Sequence, residues 1–312
     1  MSESSSKTHI VRAHLALLGA AVIYGANYLI AKLVMPSPID PNSFILLRIW
    51  GACALFWICF GRKITQWPDR SDWGRLLLCA LTGVITNQLL FFNGLSLTSP
   101  IHASIMMTSN PMIVLILSAL LLKKPIRIHQ LLGILIGAAG ACMIILARSA
   151  PGQSGYWLGD VFVLVNSISW ATYLVLVVPL MQKYNNMAVT TWVFTLGALI
   201  ITPVFFFNGD AVDWSALSAL HWWSIGYVII GTTFLTYAFN MIGVKYLPPT
   251  TVSAYIYLQP LLAGIFAWLT ASWFTHDYSG DLTWYKVMSA CIVVAGVYLS
   301  SLSKWPWQRS IK

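Results

Sequence analysis

A chain of 312 residues that is 58% hydrophobic and only 9% charged carries more apolar surface than a water-soluble fold can hide, because soluble chains hold roughly a quarter charged residues. The excess must face lipid, which excludes a soluble architecture for most of the length. The formal charge of +9 does not point to nucleic acid, since the Lys and Arg residues sit in short loops between apolar runs, where the preference of basic residues for the cytoplasmic side accounts for them.

The first twelve residues, 1–12, are polar and Ser-rich and read as a cytoplasmic tail. Apolar runs then follow at 13–34, 43–61, 74–97, 101–122, 128–147, 158–180, 188–207, 222–243, 251–273 and 285–303, and 304–312 forms a second cytoplasmic tail. The first run lacks an Ala-x-Ala type cleavage site, so its helix is expected to be retained as an anchor. Hydrocarbon offers no partner for backbone N–H and C=O groups, so every run must be helical, even where Val and Ile clusters look strand-like. The expected fold is an all-α integral membrane protein with ten transmembrane helices. With the N-terminus inside, fourteen of the 18 Lys and Arg residues fall on the cytoplasmic side, and Asp40, Asp210, Asp213, Asp277 and Asp281 fall outside. Both termini are therefore expected in the cytoplasm of a cell, plasma or bacterial inner, membrane.

The chain also reads as a duplication. Pro100, Ser104 and Pro111 recur as Pro249, Ser253 and Pro260 at a constant spacing of 149 positions. Each half, 13–147 and 158–303, then holds five spans. Five is odd, so the second half enters the membrane from the opposite side, an inverted repeat that places a transport site near the midplane.

Tyr24-Gly-Ala-Asn-Tyr-Leu-Ile-Ala-Lys32, Leu47-Arg48, Ser99-Pro100, Asn110-Pro111 and Gln130-Leu-Leu-Gly133 with Gly137-Ala-Ala-Gly140 mark the first half; Ser169-Trp-Ala-Thr-Tyr173 and Leu258-Gln-Pro260 mark the second. In these motifs and their order the chain resembles the drug/metabolite transporter superfamily, in its EamA-like branch of two five-helix repeats. The resemblance implies a substrate cavity between the repeats, reached alternately from each side, with export of metabolites or amino acids as the common task.

Polar groups inside a membrane cost free energy unless paired, so their clusters are candidate sites. Thr233, Tyr237 and Asn240 share a helical face, as do Asn166, Trp170 and Tyr173. The candidate substrate-binding set is Tyr24, Asn27, Asn87, Asn110, Trp170, Tyr173, Tyr237, Asn240, Tyr255 and Gln259, with amides to hydrogen-bond a cargo and aromatic rings to cover its apolar part. The competing reading makes the same residues interhelical glue. Pro111 and Pro260 are candidate hinges in mid-helix; the plain alternative is that Pro is common in membrane helices. Lys32 is expected to snorkel to headgroups. Arg48 lies deeper, with an anionic cargo as one use and pairing with carbonyls or Asp40 as the favoured one.

All nine acidic residues fall in loops or at helix ends, so no carboxylate is expected mid-membrane; His102 remains for proton coupling, and a facilitator or weakly coupled exporter is the favoured form. The five cysteines lie in apolar runs, with neither a CxxC pair nor a metal-spaced His, and read as small core residues. No cofactor is expected. The partners expected are a small-molecule substrate and the lipid bilayer, with no nucleic acid, in a monomer that Gly133-x-x-x-Gly137 could alternatively join into a dimer. The function expected is a secondary transporter, exporter or facilitator, of a small metabolite, an amino acid or aromatic compound among the candidates. A channel or lipid flippase uses similar helices. An integral membrane enzyme is the rival of another class, and the scattered His residues give it no cluster or base to work with.

Overall fold

The computed structural model describes residues 3–64, 66–121, 127–146, 156–206, 212–270 and 284–301, which are helical apart from turns and short connections, with no strand among them. Ten helices carry the architecture. They are α1 (Glu3–Ile30), α2 (Pro41–Phe60), α3 (Arg70–Leu97), α4 (Pro100–Leu121), α5 (Ile128–Leu146), α6 (Trp157–Lys183), α7 (Asn186–Phe206), α8 (Ala219–Tyr246), α9 (Thr251–Leu269) and α10 (Trp284–Ser301). Eight are long and apolar enough to cross a membrane; Ile128–Gly140 in α5 and Val287–Gly296 in α10 are shorter apolar stretches that complete the ten. The outer surface is apolar, with Leu15, Ile58, Leu135, Leu199 and Leu261 exposed where lipid would lie.

Local chemistry starts the helices where the sequence places them. Asp40 accepts the backbone N–H groups of Asn42 and Ser43 with Pro41 in the first turn of α2, and Ser99 accepts from His102 N ahead of Pro100 in α4. Breaks recur with the same spacing of 149. The α3 helix widens into a π stretch at Leu81–Thr86, and α8 does so across Tyr227–Leu235, which contains the matching positions 230–235. The α4 helix stops at Met107 and restarts at Asn110; α9 tightens to a 3-10 turn at Tyr255–Tyr257 and resumes at Leu258.

These breaks correct the placement of both prolines. Pro111 and Pro260 do not interrupt a running helix; each sits in the first turn of a restarted half-helix, where the missing N–H has no interior bond to lose. The bends precede them, where Thr108 N and Ser109 N donate three residues back, to Ile105 O and Met106 O.

Packing pairs the repeats. The α5 and α10 helices run together with Gly296 against the backbone of Gly133 and Gly137, so the small-residue motif packs against a helix of its own chain. The α2 and α7 helices meet through Trp50, which donates to Thr202 Oγ1 at 2.9 Å, and Trp57, which donates to Thr195 Oγ1 at 2.8 Å. At one end of the bundle Lys32 Nζ donates to Ser96 O at 3.1 Å, so it anchors the 3-10 turn that follows α1, Ala31–Leu33, to α3 where snorkelling was expected. Cys53 and Cys79 are buried, whereas Cys59, Cys142 and Cys291 are exposed, because the helix faces that carry them point outward from the bundle. Of the residues that orient the chain, Lys123, Lys124, Arg148, Asp210, Asp277, Asp281, Lys304, Arg309 and Lys312 lie outside the described residues.

Candidate functional site

Between the repeats lies a cavity whose empty space, its opening to solvent included, is about 730 Å³. Seven helices supply its walls. Tyr24, Asn27 and Tyr28 come from α1, Arg48 from α2, Asn87, Gln88 and Phe92 from α3, Met107 from α4, Asn166 and Trp170 from α6, Thr232, Tyr237 and Asn240 from α8, and Ser253, Tyr255 and Gln259 from α9.

The broken helices shape this wall. Tyr237 donates its hydroxyl to the carbonyl of Gly83, inside the π stretch of α3, tying the two π-containing helices together. In the π stretch of α8, Thr233 donates to Val228 O, five residues back, at 2.8 Å, and its oxygen accepts Arg48 Nε at 3.0 Å and Nη2 at 2.7 Å. Arg48 also lies over the Phe92 ring, 3.9 Å from its centroid. The expected pairing with Asp40 does not form, because that carboxylate caps its own helix. Tyr28 donates to Gln259 Oε1 at 2.6 Å, joining α1 to α9, and Asn166 Nδ2 donates to Asn87 O at 2.6 Å, joining α6 to α3. Trp170 stands edge-on to Tyr237 with centroids 5.4 Å apart.

Several buried polar atoms in this wall have no partner: Arg48 Nη1, Asn27 Oδ1, Asn166 Oδ1 and Thr232 Oγ1. Buried polar groups are ordinarily satisfied, so a cluster of open ones in one wall makes that wall a candidate for polar recognition.

Of the ten residues expected to bind substrate, Tyr24, Asn27, Asn87, Trp170, Tyr237, Asn240, Tyr255 and Gln259 line the cavity. Asn110 and Tyr173 do not. Asn110 Nδ2 donates to Ser167 O at 3.1 Å and locks α4 to α6; Tyr173 is buried behind the wall against Gly83, with its hydroxyl on Met241 Sδ at 3.3 Å. Both make packing contacts between helices away from the cavity wall. Tyr28 was missed, although Ala26-Asn-Tyr28-Leu29 repeats as Ala171-Thr-Tyr173-Leu174 and both tyrosines are almost fully buried.

Two crossings bound the cavity. Where α4 meets α6, Asp160 is 1% exposed; its carboxylate accepts Thr98 Oγ1 at 2.6 Å and lies 3.1 Å from His102 Nδ1. A carboxylate assigned to a helix end on sequence alone is thus buried, because the close approach of Gly94 and Gly159 draws α6 onto α3. Where α1 meets α9, at the other end of the bundle, His14 Nδ1 and the Tyr255 hydroxyl are 2.7 Å apart, and His9 stacks on Tyr246.

The profile of the EamA-like transporter family matches residues 11–146 and again 157–302, nearly the whole chain in two copies. The chain belongs to the EamA-like transporter family. Among EamA-like relatives, the uncharacterized transporter YyaM of Bacillus subtilis is 24% identical over 92% of this chain and 93% of its own length. An uncharacterized transporter of Archaeoglobus fulgidus is 26% identical over 95% and 98%, respectively. Protein WALLS ARE THIN 1 of Arabidopsis thaliana is 24% identical over 70% of this chain and 63% of its own. A solved crystal structure shares the fold with a TM-score of 0.65 at 18% identity, covering 94% of this chain and 98% of that one. This EamA-like protein is therefore a multi-pass membrane transporter of the drug/metabolite transporter superfamily.

Proposed function

We propose that this EamA-like protein is a secondary carrier that moves a small metabolite across the cell membrane by alternating access, with both termini cytoplasmic and a monomer as the working unit. The observation that carries the reading is the cavity itself. Its wall is drawn from both repeats, mixes aromatic faces with open amide and guanidinium groups, and lies between two crossings that differ in how firmly they are held. Tyr24, Asn27, Asn87, Trp170, Tyr237, Asn240, Tyr255 and Gln259 serve as the binding set, and the helix breaks ahead of Pro111 and Pro260 are the bending points for rocking.

Counterflow into liposomes, scanned across radiolabelled amino acids, organic acids, nucleosides and amines, tests the reading. The expected result is saturable, trans-stimulated uptake of one solute class, reduced at least tenfold in Trp170→Ala and in Gln259→Ala at equal protein. Flux that is unsaturable and unaffected by solute on the far side would make the protein a channel, and lipid scrambling without solute flux would make it a flippase.

A further inference from the structure

The charge balance of the cavity names the cargo class, on the carrier reading above. Arg48 stands seven positions after Pro41, roughly 10 Å along the axis of α2, and is only 2% exposed. Its Nε and Nη2 are held by Thr233 and its face by Phe92, so the guanidinium is fixed in one orientation; Nη1 is left without a partner, and Arg48 is part of the cavity wall.

No counter-ion reaches it among the described residues. Asp40 caps α2, Asp160 is spent on Thr98 and His102, Asp69 and Asp72 hold Lys183, and Asp213 holds Ser215. The α7 helix and the π stretch of α8, both packed on α2, contain no charged residue. Arg48 is also the one charged side chain in the described lining. A buried cation without a compensating charge costs free energy, and a planar fork with one edge open matches a carboxylate.

We propose that the cargo is an organic monoanion whose carboxylate docks on Arg48 Nη1, with its apolar body against Trp170 and Tyr237. A single cation neutralises a single negative charge, which favours a monocarboxylate over a dianionic phosphate. The occupied site is then neutral, so the cargo's charge is compensated while access changes from one side of the membrane to the other.

The test uses four probes with a common phenyl body: phenylacetate, phenylacetamide, phenethylamine and phenyl phosphate. Each is titrated against thermal unfolding of the detergent-purified full chain, where a ligand that binds the folded state raises the melting temperature by mass action. Phenylacetate is expected to protect saturably at a concentration at least tenfold below that of the amide, with no protection from the amine. Arg48→Gln erases the difference between acid and amide, while Arg48→Lys keeps the preference at weaker affinity, because charge survives and the fork does not. If Arg48→Gln does not fold, the charge series on the unsubstituted chain decides. Protection by the amide or amine as good as by the acid, protection confined to phenyl phosphate, or an acid preference that persists in Arg48→Gln overturns the inference while leaving the carrier standing. Silence from all four probes overturns it too, and the liposome counterflow then judges the carrier reading on its own.

Discussion

The crossing of α4 with α6 and the crossing of α9 with α1 occupy matching places in the two repeats, at opposite ends of the bundle, and they are held by different chemistry. At the first, Thr98, His102 and Asp160 form a buried cluster, and beside it Gly94 of α3 and Gly159 of α6 bring two backbones into contact. At the second, His14 meets Tyr255 in a half-buried bond, and beside it Gly243 of α8, the counterpart of Gly94 at a spacing of 149, has side-chain atoms of Leu17 in α1 as its nearest neighbours. The difference teaches that duplication fixes the path of the backbone but not the strength of each closure. One end is cemented by backbone contact and a buried carboxylate; the other is held by side chains that can turn away. On the proposed carrier reading, alternate opening calls for ends of unequal firmness in any one state.

The sharpest way to break the comparison is to remove the carboxylate. Asp160→Ala removes the buried carboxylate that Thr98 and His102 meet and is expected to destabilise the protein by about 3–5 kcal/mol, whereas His14→Ala at the other crossing costs about 1 kcal/mol. Thermal unfolding of both variants in detergent checks this, and equal losses would abolish the distinction between the ends. Glycine replacement gives the next largest contrast. A Cβ on Gly94 would lie 2.9 Å from Gly159 O, which cannot yield without moving a helix, while one on Gly243 would meet the flexible tip of Leu17 at 2.7 Å. Gly94→Ala should cost about 1–3 kcal/mol and Gly243→Ala about half a kcal/mol, read from the same melts.

Inside the cavity the contrast is between wall and backing. Asn87→Ala and Tyr237→Phe are expected to slow transport about tenfold, near 1.4 kcal/mol of barrier, with the melting temperature changed by a few degrees at most. Tyr173→Phe and Asn110→Ala should instead lower stability and leave turnover per folded molecule unchanged; the reverse pattern would show that the cavity wall is misassigned. The smallest effect belongs to the prolines. Pro111→Ala and Pro260→Ala are each expected to cost under about 1 kcal/mol and to leave the spectroscopically measured balance of open states within about threefold, because both residues sit in the first turn of a half-helix. A large shift in that balance for either variant would restore the hinge to the proline itself.

Much of the site was legible in the sequence because periodicity identifies a shared face. Tyr24 with Asn27, and Asn166 with Trp170, reach the cavity as their spacing requires. The same logic failed where a helix is not α-helical. Thr233, Tyr237 and Asn240 were grouped by regular spacing, but the π stretch that ends at Leu235 turns Thr233 onto Arg48, while Tyr237 and Asn240 line the wall. Tyr173 follows Trp170 on one face and still ends behind the wall, because Gly83 opens a space for its ring in α3. A face says where a side chain points along its own helix, not which neighbour stands there.

The sequence by itself determined that the chain is helical, membrane-spanning and duplicated, since hydrocarbon leaves the backbone no other way to satisfy its hydrogen bonds and the repeated Pro and Ser positions survive in plain text. Only the tertiary structure decided that Asp160 is buried, that Arg48 has no carboxylate partner among the described residues, and that eight of the ten candidate residues share one space. Those are properties of how helices distant in sequence are rotated and pressed together, and glycine contacts and π stretches set that rotation through sterics that no local pattern records.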